Sequence, residues 1–279
     1  MEMVESAIRR IRKYSYMLRG YGVNGRELRV YPDDIFLVGY PKSGNTWLDF
    51  LVACLRMERA EDVDYHSIES NVADIYFNDA KLLRGLARPR FLKSHEVFDP
   101  RYPKVIYIVR DPRAVAVSYY HHLVGLESID RSSALSQFIP QFIRGDFDGF
   151  GNWEAHARGW MKAHDQYPER VMIVKYEDLK SETEITLSDI AAFLGIKATS
   201  EKIREAIAWS SPENMRRLEV AARESGLSSF ANFKEGSFFV RTASSGGWKQ
   251  ELGEALEMQI RDSWGGTMRE LGYIDGGNP

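Results

Sequence analysis

The hydrophobic pattern of the chain alternates short apolar runs with longer stretches that carry apolar residues at helical spacing. Three runs of four or five apolar residues lie at 35–38, 105–109 and 171–174. Each is too short for a typical helix and ends at residues that favour turns or helix caps, as buried strands do. Continuous apolar strands alternating with helices predict an α/β fold with a central parallel sheet flanked by helices.

The first predicted strand leads into a helix through a loop that begins at Gly39. Residues 45–56 carry apolar side chains at helical spacing and predict the helix after that loop. The second strand is followed by Asp111 and Pro112, which suit the N-cap and the first turn of another helix. In both places the sequence predicts the order strand, loop, helix.

Two later stretches differ in character. Trp153, His156 and Trp160 fall on one helical face, which we interpret as a stripe facing the core, with His156 hydrogen-bonded and not acting as a ligand. From residue 230 to 247 the composition turns to Phe, Ser and Gly with no regular period. This is typical of a long ordered loop, and loops of that length are often functional.

Composition and charge narrow the class of protein. The 279 residues include 37 Lys and Arg against 40 Asp and Glu, a formal net charge of −3. No excess of positive charge therefore indicates a nucleic-acid or anionic-membrane partner. Cys54 is the only cysteine and cannot form an internal disulfide, which favours a reducing compartment. No apolar run of signal-peptide or membrane-span length follows the basic residues 9–13. We expect a cytoplasmic protein without a membrane span.

The chain shows no internal boundary. No repeat, low-complexity tract or Pro/Gly/Ser-rich linker divides it, which predicts a single domain over residues 1–279. Residues 1–33 are expected to form an N-terminal helical extension, and its basic residues are interpreted as a solvated helix face in preference to a membrane-binding surface.

The loop after the first strand carries the first candidate chemistry. The segment GYPKSGNTW, residues 39–47, lies where free backbone N–H groups and the helix dipole make an anion site. The two glycines have the spacing of a Walker A loop, but Asn45 stands where that loop has Lys, so the hydroxyl of Thr46 is not preceded by a lysine. Lys42 lies inside the loop instead. A P-loop-type phosphate site is therefore predicted, whereas a metal-dependent NTPase is not supported.

These residues resemble a known family. YPKSGNTW is similar to the phosphosulfate-binding loop of the cytosolic sulfotransferases, which use 3′-phosphoadenosine 5′-phosphosulfate (PAPS). Further segments agree with that family in order and type: KSH at 93–95, VRDPR at 109–113 with Ser118, YEDL at 176–179 and GGWK at 246–249. The resemblance spans roughly residues 35 to 250, and the ordered succession is far more specific than any one motif.

The resemblance implies a role for each matched residue. His95 corresponds to the catalytic base, Lys42 would supply positive charge at the leaving oxygen, and Lys93 would add positive charge at the transferred group. The donor PAPS and its product PAP would be held by a larger set: Lys42, Ser43, Gly44, Asn45, Thr46, Trp47, Arg110, Ser118, Tyr176, Ser210, Arg241, Thr242 and Ala243. Residues 230–247 would be the loop that covers the cofactor, and no metal is expected.

The chain departs from the family at positions that matter. Where the late loop usually reads Arg-Lys-Gly, this chain has Arg241, Thr242 and Ala243, which lose a cation and a glycine. Pro212 stands in a segment where the family often has a phenylalanine after Ser210, so it cannot supply a stacking ring. The family's dimer signature is absent after residue 249, which leaves the oligomeric state open.

The chemistry of sulfuryl transfer agrees with these residue types. Charge must be stabilised at the leaving oxygen while the acceptor loses a proton, and a histidine has an ordinary pKa close to working pH. The sequence therefore predicts transfer from PAPS to a hydroxyl or amine of a small molecule. A P-loop small-molecule kinase and an inactive nucleotide-binding scaffold stay open as alternatives. The acceptor pocket is expected to be partly apolar, formed by Tyr76, Phe77, Phe98, Tyr120, His121, His122 and Phe147.

Overall fold

Parallel strands form the centre of the structure. A computed structural model of the chain describes residues 28–129, 134–226, 238, 240 and 246–275. The strands in these residues are β1 (Ile35–Gly39), β2 (Ala73–Asp74), β3 (Phe91–Ser94), β4 (Lys104–Val109) and β5 (Val171–Lys175). They form one sheet in the order β2-β3-β1-β4-β5, and every neighbouring pair is parallel.

Helices fill most of the remaining described chain, apart from one turn of 3₁₀ helix at Ala60–Asp62. They are α1 (Asn45–Arg56), α2 (Ile68–Asn71), α3 (Ala80–Gly85), α4 (Pro112–Gly125), α5 (Leu135–Arg144), α6 (Trp153–Gln166), α7 (Tyr176–Ser181), α8 (Thr183–Leu194), α9 (Ser200–Trp209), α10 (Pro212–Glu224), α11 (Trp248–Glu251) and α12 (Glu254–Glu270). The predicted α/β fold with a central parallel sheet flanked by helices is confirmed.

The three predicted strands are present with ends shifted by at most one residue, whereas β2 and β3 were not among the predicted strands. β3 ends in the polar residues Lys93 and Ser94, which break the apolar run. β2 has only two residues. Short or polar edge strands lack the hydrophobic pattern on which such a prediction depends.

Each face of the sheet carries its own hydrophobic core, because successive side chains of a strand point to opposite faces. Phe36 and Val38 of β1 belong to one core, together with side chains of α4, α5, α6 and α12. Ile35 and Leu37 belong to the other, with α1, α8, α9 and α10. The predicted stripe on α6 is confirmed, since Trp153, His156 and Trp160 are all fully buried.

The strand register brings the carboxyl ends of four strands to one edge. Val38 pairs with Ser94, Gly39 with Ile108, and Val109 with Lys175. The segments that follow these strands therefore emerge side by side. In open parallel sheets this edge is where ligands bind.

The ends of the described chain bear on two further predictions. Residues 28–33 contain no helix, although they belong to the predicted N-terminal extension; Pro32 restricts the backbone of Tyr31 and the chain turns into β1. Residues 1–27 lie outside the described part, as does most of the loop predicted at 230–247. No helix in the described ranges is long and apolar enough to cross a membrane.

A buried ion pair fixes the start of β1 to β3. Arg90 and Asp34 are both almost fully buried. The guanidinium donates from Nε to Asp34 Oδ1 at 2.8 Å and from Nη2 to Oδ2 at 2.5 Å. Its remaining donors reach the carbonyls of Leu83 at 2.8 Å and Arg29 at 2.7 Å. Every charge in this pair is thus compensated inside the protein.

We expect Asp34→Asn to lower the free energy of unfolding by about 3–5 kcal/mol, because it leaves a buried guanidinium without its counter-charge. Asp33→Asn is the matched control, since Asp33 pairs with Arg88 on the exposed surface, where such pairs contribute little. Urea denaturation of both variants measures the difference. Equal stabilities for the two variants would contradict this account.

Candidate active site

The loop between β1 and α1 adopts a conformation that depends on its glycines. Gly44 has φ +104°, and a Cβ there would lie 2.5 Å from Cδ2 of Tyr176. Gly39 has no positive φ, but a Cβ there would lie 2.6 Å from Cγ2 of Ile108. Lys42, a non-glycine residue, also has a positive φ of +71°. The backbone is thus tightly curled against β4 and Tyr176.

The curl leaves hydrogen-bond donors available at the start of α1. The first-turn N–H groups of a helix have no acceptor within the helix, and here that turn begins at Asn45. The hydroxyl of Ser43 is fully buried and has no hydrogen-bond partner among the residues that the structure describes. Asn45 instead supports the loop, because its Nδ2 donates to the carbonyl of Gly39 at 3.4 Å. Ser43 and the helix amides form an anion-binding arrangement.

Positive charge is concentrated around this loop. Burial, with Lys93 and Arg110 nearby, lowers the pKa of Lys42 to about 7. Arg110 donates from Nη1 to the carbonyl of Lys42 at 3.2 Å. Cations held this close in a partly desolvated place repel each other, so an anion bound among them would be favoured.

Tyr176, which the sequence predicts to contact the nucleotide, packs on the loop. Arg110 lies over its ring, 4.2 Å from the centroid, and Trp47 meets it edge to face at 5.7 Å. The same ring is what excludes a side chain at Gly44. Tyr176 therefore shapes the loop, and its contact with an adenine stays a prediction.

His95 is hydrogen-bonded to the first residue of the loop. Its Nδ1 lies 2.7 Å from the carbonyl oxygen of Gly39. A carbonyl oxygen only accepts, so Nδ1 carries the proton in this contact and the neutral ring keeps Nε2 as a proton acceptor. Burial and the charge of Lys93 lower the pKa of His95 to about 4. The imidazole is therefore neutral at ordinary pH.

Lys93 lies between two carboxylates. Its Nζ is 3.3 Å from Asp74 and 3.9 Å from Asp49. Burial would lower the pKa of Lys93, but these carboxylates outweigh it and raise the pKa. Burial in turn raises the pKa of Asp49, and the charge of Lys93 opposes that shift. Lys93 is thus a fixed ammonium beside His95, and its predicted contact with the transferred group is not tested by this geometry.

The remaining predicted cofactor residues are more dispersed. Ser118 lies in α4 and is partly exposed. Ser210 is fully buried at the end of α9, where its Oγ lies 3.8 Å from Sγ of Cys54. Arg241, Thr242 and Ala243 lie outside the described residues. The residue before them, Val240, is held by α10, because Nε of Arg216 donates to its carbonyl at 2.9 Å.

The residues predicted to surround an acceptor separate into groups. Tyr76 stacks parallel to His95 with ring centroids 6.0 Å apart, and burial with Lys42 and Lys93 nearby lowers the pKa of His122 to about 2. Both therefore belong to the surroundings of His95. Phe147 and Phe98 pack instead on other aromatic rings, in the core that contains Phe36 and Val38.

The other three predicted acceptor-side residues also lie apart from His95 in the described contacts. His121 pairs with Glu251, Tyr120 packs on Phe138, and Phe77 is 70% exposed. Their predicted role at an acceptor therefore has no support from these contacts.

Several site residues were missed by sequence reasoning. Phe150 contacts both Tyr76 and His95, with centroids 5.4 and 5.7 Å apart. Asp74 and Asp49 hold Lys93. Asp49 did leave a signal, because it interrupts the buried face of α1 as a carboxylate among apolar residues. In the described ranges no group of three or more His, Cys, Asp or Glu is arranged to hold a metal ion.

Comparisons with known proteins identify the family of the chain. The family model of the sulfotransferase domain matches residues 32–272. A 3-alpha-hydroxysteroid sulfotransferase of Cavia porcellus is 31% identical over 241 residues, covering 81% of this chain and 82% of that protein. Cytosolic sulfotransferase 14 of Arabidopsis thaliana is 29% identical over 258 residues, covering 79% of this chain and 74% of that protein.

A solved structure shares the fold. Retinol dehydratase in complex with androsterone and inactive cofactor PAP superposes with a TM-score of 0.74 at 19% identity, covering 94% of this chain and 88% of that one. The match to the sulfotransferase domain covers most of the chain, so the chain belongs to the sulfotransferase family. The resemblance to the cytosolic sulfotransferases is therefore confirmed.

We expect Gly44→Ala to destabilise the protein by at least about 1–2 kcal/mol, the cost of a left-handed backbone for a residue with a Cβ. The clash with Tyr176 adds to that cost. Gly266→Ala is the matched control: this glycine lies inside α12 with open space around its Cα, and alanine favours helices by up to about 1 kcal/mol. Thermal melting should therefore separate the two variants in opposite directions. A Gly44→Ala protein as stable as wild type would show that the loop does not need its glycine.

Proposed function

We propose that the chain transfers a sulfuryl group from PAPS to a hydroxyl or amine of a small-molecule acceptor, with His95 as the general base. The observation that carries this proposal is the 2.7 Å contact between Nδ1 of His95 and the carbonyl of Gly39. It ties a neutral imidazole, with Nε2 kept as a proton acceptor, to the residue that opens the anion-binding loop. A base beside an anion site is what this transfer requires.

The residues of the loop suit the phosphosulfate part of PAPS. The hydroxyl of Ser43, which has no partner in the described part of the chain, and the first amides of α1 would hold its anionic oxygens. Arg110 would hold the 3′-phosphate of PAPS, since a guanidinium suits bidentate contact with phosphate. PAPS would supply the activated sulfuryl group. The solved relative that contains PAP supports this choice of donor.

The side chains around the loop would each have a different role in the transfer. Lys42 would stabilise negative charge at the leaving oxygen, for which its ammonium must be protonated. Nε2 of His95 would take the proton of the acceptor group. Lys93, held by Asp74 and Asp49, would keep a fixed positive charge beside His95, and that charge helps to keep the imidazole unprotonated.

The acceptor is proposed to be a small molecule with an apolar body. Tyr76 and Phe150 pack around His95 and offer aromatic surface beside its ring. The names of two similar proteins point the same way, since one acts on a 3-alpha-hydroxysteroid and the other holds androsterone.

The remaining proposals concern the whole chain. A single domain is supported by one sheet whose two cores contain elements from both ends of the described chain. A cytoplasmic location is supported by the name of the cytosolic relative. No observation favours the kinase alternative, because Asn45 stands where a Walker A sequence has the Lys that follows its second glycine.

We expect labelled sulfate to pass from PAPS to members of a panel of phenols, sterols and amines. His95→Ala should lower kcat by about 10²–10⁴-fold, the usual contribution of a general base, while the protein still binds PAP. The matched control is His66→Ala, which removes an exposed histidine whose side chain contacts only Ser225 in the described hydrogen bonds. Unchanged turnover in His95→Ala would refute the base assignment.

The donor can be tested without any acceptor. PAP should raise the melting temperature of the protein more than ATP with magnesium does. Only PAP carries a phosphate at the 3′ position, which Arg110 would hold. A larger effect of ATP with magnesium would favour a kinase and contradict the proposed donor.

We expect PAP binding at pH 8 to take up about one proton per ligand. The pKa of Lys42 is lowered to about 7 in the free protein, so its amine is mostly neutral at pH 8. A bound anion favours the charged form and raises that pKa, so affinity should fall as pH rises above about 7. Calorimetry in two buffers of different ionisation enthalpy measures the uptake.

Lys42→Met should abolish this uptake, whereas Lys197→Met should leave it intact. Lys197 is exposed and follows the end of α8. That end lies at the opposite edge of the sheet, where Lys104 at the start of β4 donates to the carbonyl of Phe193 at 2.7 Å. Proton uptake that persists in Lys42→Met would assign it to another group.

A further inference from the structure

His95 is held at its backbone as well as at its ring. Its backbone N–H donates to Oη of Tyr76 at 2.8 Å. Its carbonyl oxygen lies 3.1 Å from Nε2 of His156, and its ring Nδ1 donates to Gly39 at 2.7 Å. The residue therefore has contacts at the amide, the carbonyl and the ring, and Nε2 of the ring is the nitrogen not engaged by Gly39.

The contact from His156 has a defined direction. The carbonyl of His95 only accepts, so Nε2 of His156 donates and Nδ1 of His156 has no proton. That Nδ1 lies 3.0 Å from Oη of Tyr107, which therefore donates to it. A hydrogen-bond chain runs from the hydroxyl of Tyr107 through the imidazole of His156 to the carbonyl of His95.

The surroundings of His156 keep this chain fixed. His156 is fully buried on α6, and Tyr40 meets its ring edge to face at 5.5 Å. Burial lowers the pKa of His156 to about 3 and raises that of Tyr107. Both groups are therefore neutral at ordinary pH, so the imidazole keeps one tautomer and does not itself exchange protons with substrate.

We propose that His156 is a positioning residue for sulfuryl transfer. By donating to the carbonyl of His95 it fixes the orientation of the His95 imidazole against the loop, and Tyr107 selects the tautomer of His156. The inference rests on the proposed function of His95 as the base. His156 reaches this role from α6, whereas the base follows β3 and the selecting hydroxyl lies on β4. A buried histidine with both nitrogens bonded is thus more than core packing.

The titration of His95 reports its position independently of activity. The titratable groups around its ring come from every neighbouring element: Lys42 from the loop, Lys93 from β3, Asp74 from β2, Tyr76 after β2, His122 from α4 and His156 from α6. Because burial keeps the pKa of His95 low, a ring released from its site should become more solvated. Its pKa would then rise toward the ordinary value of about 6.5.

We expect nitrogen-15 NMR of histidine-labelled, ligand-free protein to show His95 as the Nδ1–H tautomer with a pKa of about 4. In His156→Leu the pKa should rise and the tautomers should mix. In Tyr107→Phe, which removes only a hydroxyl, the pKa of His95 should rise by a smaller amount and its tautomers should mix less. His156→Gln should restore the wild-type signal, because its amide can donate to the carbonyl of His95.

Turnover should follow the same order. His156→Leu should lose about 10–100-fold in kcat, the range expected when a reacting group is misplaced by a fraction of an ångström to one ångström. PAP affinity should stay unchanged, and the acid limb of the kcat profile should move to higher pH. His164→Leu is the matched control, since His164 lies on the same helix and contacts the carbonyl of Val171 at 2.7 Å.

The outcomes separate this inference from the proposed function. An unchanged tautomer and pKa of His95 in folded His156→Leu would overturn the positioning role. If that variant does not fold, an unchanged His95 in Tyr107→Phe would overturn the choice of tautomer by Tyr107, and with it the proposal. NMR changes as expected in a wild-type protein that transfers no sulfate would refute the proposed function and leave the positioning of His95 established.

Discussion

The site depends on the way the chain leaves β1. Gly39 lies so close to β4 that no side chain fits there, and Gly44 turns the backbone through a left-handed conformation into α1. This curl places Ser43, whose hydroxyl is buried, directly before the first turn of the helix. It also presents the carbonyl of Gly39 to His95. One loop conformation thus creates the anion site and locates the imidazole beside it.

A second constraint is electrostatic. Lys42, Lys93 and Arg110 are brought together at the edge of a sheet, where burial weakens their solvation. The structure balances Lys93 with Asp74 and Asp49, whereas the pKa of Lys42 is lowered. The two lysines therefore differ in the free protein: nearby carboxyl groups raise the pKa of Lys93, whereas burial lowers the pKa of Lys42. A nearly neutral chain can serve a strongly anionic ligand because its charges are arranged locally.

The fold and part of the site were predictable from particular residues. The runs at 35–38, 105–109 and 171–174 are apolar and bounded, so three strands followed from them. The loop and Arg110 follow predicted strands, which is why their meeting at one sheet edge could be expected. β2 and β3 could not be predicted, since one is two residues long and the other ends in polar side chains. The roles of Ser118 and Arg241 stay predictions.

The sequence by itself determined the kinds of group available: a glycine loop with an internal lysine, a histidine in the segment KSH and an arginine after a predicted strand. These are local patterns, and local patterns specify turns, strands and caps. Only the tertiary structure decided that Asp49 faces Lys93, that Tyr176 closes the loop, and that His156 reaches the carbonyl of His95 from a helix 61 residues further along the chain. Such contacts arise when two faces of a sheet are packed, and no spacing along the chain records which buried polar atoms will then meet.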